Sequence, residues 1–243
     1  MEPSPRAYVG PDVVLGDNVR VHPFAYIDGK TTIADECEIF PHAAIGTPPH
    51  DLSYGNTPTR VELGQGSIIR EGATIHRASE KEDGVTRVGE RCYLMAQAHI
   101  GHDCQVGDDV VITNASTLGG HVRVEDRVLI SAHAAVHQFC RVGRLAMVAG
   151  GSMVVQDVPP FCRAHGDRAR LVGLNEVGLD RAGMTRETIL ALRRAYRLLF
   201  RSGLLRKDAV ERARAEWPEV PEVEAMVQFI QGSRRGVARH GRG

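Results

Sequence analysis

The chain has 243 residues, its 30 Lys and Arg balance its 30 Asp and Glu, and its isoelectric point is near 7.2, so no bulk charge draws it to nucleic acid. No apolar run is long enough to cross a membrane, and the opening Met1-Glu2-Pro3-Ser4-Pro5-Arg6 lacks a signal-peptide core, which makes a cytoplasmic protein the simplest reading. The length allows one or two domains with ample core.

From the N-terminus, apolar residues recur every six positions: Val9, Leu15, Val21, Ile27, Ile33, Ile39, Ile45. A period of six fits neither a helix nor a lone strand. It fits a parallel β-helix, whose triangular coil takes three hexads, about 18 residues. The frame breaks over about 46–62, a Pro-rich stretch read as a protruding loop or a degraded coil. It returns at Leu63, Ile69 and Ile75, then breaks over about 76–87, where the polar run Arg77 to Gly84 adds one residue to the phase. Loops that leave a rigid scaffold commonly line binding surfaces. From Val88 the frame continues to Val154, giving twenty-two hexads in all.

Four residues after each frame position the slot is small or β-branched: Cys92, Ala98, Cys104, Val110, Ser116, and so on to Ser152. A narrow prism needs a large and a small side chain at alternate inward positions. Glycine often follows the frame residue (Gly16, Gly64, Gly89, Gly101, Gly107, Gly119, Gly143), which suggests corners with unusual φ/ψ. Cys37, Cys92, Cys104 and Cys140 fall in the small inward slot, so they read as buried core thiols, not ligands or nucleophiles. Cys162 lies outside the repeat and has no assignment.

The β-helix is read over 1–158 and ends at Val158-Pro159-Pro160, where two prolines oppose further ladder pairing. Residues 159–243 read as a helical C-terminal domain. Thr185 caps a helix over Arg186–Arg201, a second covers Lys207–Trp217, and a third covers Val220–Gln231 before Gly232. The basic tail from Ser233 reads as a frayed end.

Histidines crowd the middle coils. In a β-helix, residues 18 apart stack at strand spacing, about 4.8 Å. Asp103 therefore stacks with His121, and His102 with Gly120, in one surface patch, with His99 in the same coil. A histidine beside a carboxylate is suited to acid–base catalysis. A glycine N–H, with no side chain to block approach, can receive an oxyanion. A surface ladder of polar residues that merely satisfy one another is the plainer reading; the clustering favours function. Zinc competes, because His133 and His137 are four apart and His99 and His102 three apart, and zinc takes three or four such ligands. Asp103 has no role in that reading.

The stretches Ala98-His-Ile-Gly-His-Asp-Cys104, Thr113-Asn-Ala-Ser-Thr-Leu-Gly-Gly-His-Val122 and Ala135-Val-His-Gln-Phe-Cys140 resemble the UDP-N-acetylglucosamine O-acyltransferases of lipid A biosynthesis. Asp51-Leu-Ser-Tyr-Gly55, Thr74-Ile-His-Arg77, Gln156-Asp-Val-Pro-Pro160 and Asn175 to Gly183 extend the resemblance from about residue 7 to the end. It implies a left-handed β-helix, a homotrimer with sites between subunits, and acyl transfer from acyl carrier protein to the 3-hydroxyl of the UDP-sugar. The acyl donor rides on phosphopantetheine, so no further cofactor and no metal is implied. His102 matches the family's general base, Asp103 its orienting partner and Gly120 its oxyanion donor. Asp51, His76, His99, His121, His137, Gln138, Asn175 and Arg181 match residues lining the sugar-nucleotide and acyl sites, and Gly150 the end of the acyl groove.

The chain departs from the pattern in three places. It starts about one coil late. Val177 stands where a glutamate is usual, and Ala182 where a second arginine is usual. Both substitutions bear on nucleotide contact, so N-acylation of a 2,3-diamino sugar nucleotide is an alternative. A zinc-dependent enzyme of the carbonic anhydrase type and a catalytically silent scaffold are the rivals from other classes.

Overall fold

The computed structural model describes residues 3–241. Short strands, mostly of two residues, build three parallel sheets that form the faces of a prism. The first face runs from Tyr8–Val9 to Met153–Val154, the second from Val14–Leu15 to Arg141–Val142, and the third from Arg20–Val21 through Met147–Val148. Strands pair one coil apart, as in Tyr8 with Tyr26, His99 with Thr117 and Val106 with Val124. This is the parallel β-helix that the six-residue period predicts.

The core follows the two inward positions of each hexad. Frame residues such as Ile27, Ile45, Ile75, Ile100 and Leu118 are fully buried, and so are the small-slot residues Ala98, Cys104, Ser116 and Cys140. Each large side chain lies beside a small one, which lets the narrow interior close without voids.

The corner glycines have a different cause from the one expected. Gly89, Gly101 and Gly119 do not have positive φ; the left-handed positions fall two residues later, at Arg91, Asp103 and His121, with φ of 52°, 61° and 61°. What requires glycine is the coil above. A Cβ on Gly101 would stand 2.8 Å from the Leu118 carbonyl oxygen, and one on Gly119 2.9 Å from the Gln138 nitrogen.

Both excursions leave from one corner, between the first and second faces. Residues 48–59 link Ala44–Thr47 to Arg60–Leu63, and residues 77–84 link Thr74–His76 to Val85–Val88. Thr74 pairs with His99, 25 residues on, so the inserted loop is absorbed at the corner without loss of register. The two loops therefore stack directly beneath His102 and Asp103.

Past the prolines the sheet does not stop. Pro159 and Pro160 occupy a corner, where no ladder N–H is needed, and Phe161 takes the left-handed corner position with φ 68°. Cys162–His165 then adds a parallel strand to Met147–Val148, and Arg170–Leu174 turns back antiparallel against it. Among the described residues four helices follow: α1 Glu176–Arg181, α2 Arg186–Arg201, α3 Arg206–Glu216 and α4 Pro221–Gln231. The Thr185 hydroxyl accepts from the Thr188 N–H as the cap of α2. The short helix α1 has no apolar period to announce it. Over its described residues the tail is packed, not frayed. Val237 and Ala238 are each 2% exposed, and Val237 bridges to Asp157 and His240 to Leu171.

Candidate active site

Asp103 occupies a left-handed corner position, and its side chain turns under the loop 77–84. It is 1% exposed, so it is not the surface residue that the stacking argument implied. Its Oδ2 accepts from the Ser79 N–H at 3.0 Å, the Ser79 hydroxyl at 2.8 Å and His102 Nδ1 at 2.7 Å. Burial pushes its pKa up, but the hydrogen bonds from His102 and Ser79 and the nearby His121 more than offset this, and the net shift is downward. Asp103 is thus a carboxylate, which can only accept, so the proton between the two residues belongs to His102 Nδ1. His102 Nε2 is left with its lone pair free, as a general base requires.

Gly120 lies directly over that imidazole. A Cβ at position 120 would stand 2.6 Å from His102 Nε2, so glycine here makes room for the ring. The Gly120 carbonyl accepts from the Phe139 N–H, whereas the Gly120 N–H has no partner among the described residues. The arrangement thus provides a base, a residue that fixes its tautomer, and an open N–H donor beside them.

Below this corner, His76 is 5% exposed with Nδ1 unpaired, and burial with the neighbouring His99 and His50 holds its pKa down to about 3. His99 Nδ1 meets the Thr74 hydroxyl at 2.7 Å, and burial lowers its pKa too. His50 packs edge-on against His76, centroids 4.1 Å apart. Asp51 takes Lys81 Nζ at 2.6 Å and the Ser53 N–H at 3.0 Å, which clamps the two excursions together and lowers its pKa. Beside the corner, the His121 ring stacks on Phe139, with centroids 4.5 Å apart, and meets His102 edge-on at 5.1 Å. Above it, His137 and Gln138 are exposed, and Arg235 reaches His137 Nδ1 at 3.2 Å.

The structure gathers His102, Asp103, Gly120, His121, His76, His99, Asp51, His137 and Gln138 along one corner. It does not bring Asn175, Arg181 or Gly150 to that corner. The Asn175 side chain caps α1, accepting from the Gly178 N–H, and donates to the Leu145 carbonyl. With Arg181, Val177 and Ala182 it borders a separate cleft that includes Arg127 and Arg163. Gly150 is exposed at the corner between the third and first faces, and a Cβ there would touch only the Ala132 carbonyl at 3.3 Å.

Three contributors were not singled out from the sequence. Ser79 and Lys81 sit in a loop whose phase is broken, so no 18-residue stacking rule reaches them. His50 precedes Asp51 in the other loop. The groove beside His121 also includes Arg123, Arg141, Arg234 and Arg235, two of them from the tail. Their signal was the Arg234-Arg235 pair itself, hidden by the expectation of a frayed end.

Cys104 is not a competing nucleophile. It is fully buried, its Sγ donates to the Gly119 carbonyl at 3.1 Å, and burial pushes its thiol up to about 12. Among the described residues one set of three potential ligand atoms lies within 4.8 Å, from His102, Asp103 and His121. His133 sits at the other end of the strand Ala135–Val136 from His137, so that pair does not converge.

Fold and corner together define a class, the hexapeptide-repeat transferases. Residues 86–120 match the model for bacterial transferase hexapeptide repeats, and residues 157–238 match the second domain of UDP-N-acetylglucosamine O-acyltransferase. An acyl-[acyl-carrier-protein]–UDP-N-acetylglucosamine O-acyltransferase from Thermodesulfovibrio yellowstonii is 45% identical, covering 95% of this chain and 92% of its own length. A homologous O-acyltransferase from Syntrophobacter fumaroxidans is also 45% identical, over 95% of this chain and 90% of its own. The crystal structure of UDP-N-acetylglucosamine acyltransferase from Bacteroides fragilis superposes with a TM-score of 0.91 at 36% identity, covering 98% of this chain and all of that one. The chain belongs to the UDP-N-acetylglucosamine O-acyltransferase family, and its solenoid is the left-handed parallel β-helix of that family.

Proposed function

We propose that this protein moves an acyl chain from acyl carrier protein to the 3-hydroxyl of UDP-N-acetylglucosamine, the first step of lipid A biosynthesis, with His102 as general base. The observation that carries the assignment of roles is the His102 Nδ1 to Asp103 contact of 2.7 Å beneath an unpaired Gly120 N–H. His102 Nε2 removes the proton from the sugar hydroxyl, whose oxygen attacks the thioester carbonyl. The Gly120 N–H receives the charge that develops on that carbonyl oxygen. Protonated His102 then supplies a proton to the departing thiol of the phosphopantetheine arm. Asp103 holds the ring in that tautomer and orientation throughout. With Cys104 buried, no covalent enzyme intermediate enters.

His76, His99, Asp51 and His121 bound the acceptor space around that base. His137 and Gln138 continue the wall upward, and the arginines beside His121 suit the phosphates of the substrates. Asn175, Arg181 and Gly150 lie off this corner, which supports a homotrimer in which the corner of one chain faces the cleft of the next. A convex prism has few deep pockets of its own, so a cleft between prisms is also what ligand burial calls for. No described helix is long and apolar enough to cross a membrane, and we place the protein in the cytoplasm.

The test is an acyl-transfer assay with a panel of carrier-bound chains against UDP-N-acetylglucosamine and its 3-amino analogue. Ester formation on the hydroxyl sugar is expected. Turnover of the amino sugar alone would reassign the acceptor, and no turnover with either would remove the reading.

A further inference from the structure

The loop 77–84 sends three side chains to three members of the corner. Ser79 binds Asp103, Lys81 binds Asp51, and Glu82 reaches His121. The third contact is unlike the others, because it forms a second histidine–carboxylate pair beside the first. Glu82 Oε1 lies 3.0 Å from His121 Nδ1, and its other oxygen lies 3.4 Å from Arg123. His121 is 5% exposed in its side chain, sandwiched between the Phe139 face and the His102 edge. Its Nε2 points towards Asp103 Oδ2, at 3.8 Å.

We propose that Glu82 is a positioning residue, which fixes the tautomer and orientation of His121 and through it the wall against which His102 works. A carboxylate only accepts, so the contact requires the proton on His121 Nδ1. Phe139 and His102 restrain the plane of the ring, but neither can tell one ring nitrogen from the other. Glu82 supplies that distinction. A ring released from Glu82 is free to carry its proton on Nε2 instead, which would place an N–H next to Asp103 and draw on the carboxylate that orients the base. The corner therefore uses two carboxylates for two imidazoles, one from the solenoid and one from the inserted loop. This rests on the acyl-transfer reading for its effect on rate, but not for its effect on the ring.

Two measurements test it. Ring nitrogen chemical shifts of His121, from ¹⁵N-labelled protein, should report the Nδ1–H tautomer in the parent and a move towards Nε2–H in Glu82→Ala. This reading needs no turnover, so it separates failure of the Glu82 claim from failure of the functional assignment. In the acyl-transfer assay, Glu82→Ala should lower kcat about tenfold, the scale of one hydrogen bond to a charged group, with little change in KM. Glu82→Gln keeps an acceptor oxygen and the side-chain shape, and should recover most of the loss. In a His121→Asn background the further change Glu82→Ala should cost less than about twofold, since a residue acting through another has nothing left to act on. Unchanged His121 ring shifts, or losses that simply multiply in the double variant, would overturn the proposal.

Discussion

Two corners of the same prism share one backbone and differ in what closes it. At the corner between the second and third faces, the middle-position N–H groups of Asp17, Glu90, Asp108 and Arg144 are capped by carboxylates, three of them one coil on. Asp35 Oδ1 caps Asp17 at 2.7 Å, Asp108 caps Glu90 at 2.8 Å, and Asp126 caps Asp108 at 2.9 Å. At the corner between the first and second faces, the equivalent N–H is that of Gly120, and the residue one coil on is Gln138, which does not cap it. The scaffold thus generates corner donors, and at Asp17, Glu90 and Asp108 an aspartate takes them. At the candidate active site the Gly120 donor carries no such cap, and a histidine ring lies directly below it.

The largest expected effect comes from removing the base. His102→Ala should lower turnover by about 10²–10⁴-fold, the range for general acid–base catalysis. His102 is not part of the inward-facing core, so circular dichroism and thermal melting should stay close to the parent. Cys104→Ala, two residues along the chain but facing inward, should keep most of the activity. An active His102 variant together with a dead Cys104 variant would replace direct attack by a thioester route.

The acid side of stability comes next. His76 has an ordinary value of 6.5 and is held down to about 3 in the folded protein, chiefly by burial. The unfolded chain therefore takes up this proton first. The stability that His76 contributes is complete above about pH 6.5 and drains as pH falls towards 3. His76→Asn should flatten the fall in urea-melt stability between those limits. Parallel curves for parent and variant would show that His76 is not buried as a neutral ring.

At the other corner the effect is smaller and purely structural. Asp108→Ala uncaps the Glu90 N–H and should cost about 1 kcal/mol or less, the lower end for losing a side-chain cap at an exposed backbone donor. Catalysis should be unchanged. A drop in kcat without a drop in melting temperature would mean that the two corners are not independent.

The smallest effect concerns selection, not rate. A Cβ on Gly150 would meet only the Ala132 carbonyl oxygen, at 3.3 Å, and a longer side chain would extend outward from there. Gly150→Met should shift preference towards shorter acyl chains in a competition assay, and an unchanged length profile would place the end of the groove elsewhere.

The sequence carried the solenoid almost whole, because a six-residue period is local and repeats often enough to be unmistakable. It also carried the stack of His102 under Gly120, since residues one coil apart must meet. It misread the glycines, whose constraint is a backbone one coil away and not their own φ. Asp103 reads as a surface residue from spacing alone, because its cover, Ser79, comes from an insertion that breaks the phase. Lys81, Glu82 and the tail arginines were hidden for the same reason: their contacts span 30 residues or more without any period to predict them. Asn175 and Arg181 came from resemblance alone, and within one chain they lie apart from the base.

The central claim is that catalysis depends on leaving one corner donor uncapped, and Gln138 is the place to test it. Gln138→Asp puts at this corner the residue that caps the other. Gln138→Ala removes the same side chain without supplying a cap, and so measures any contact that Gln138 makes with substrate. The account predicts that kcat for Gln138→Asp falls about 10²-fold below that of Gln138→Ala, the scale for losing one oxyanion donor, with no loss of thermal stability. Equal kcat values for the two variants, with the aspartate seen on the Gly120 N–H, would contradict it.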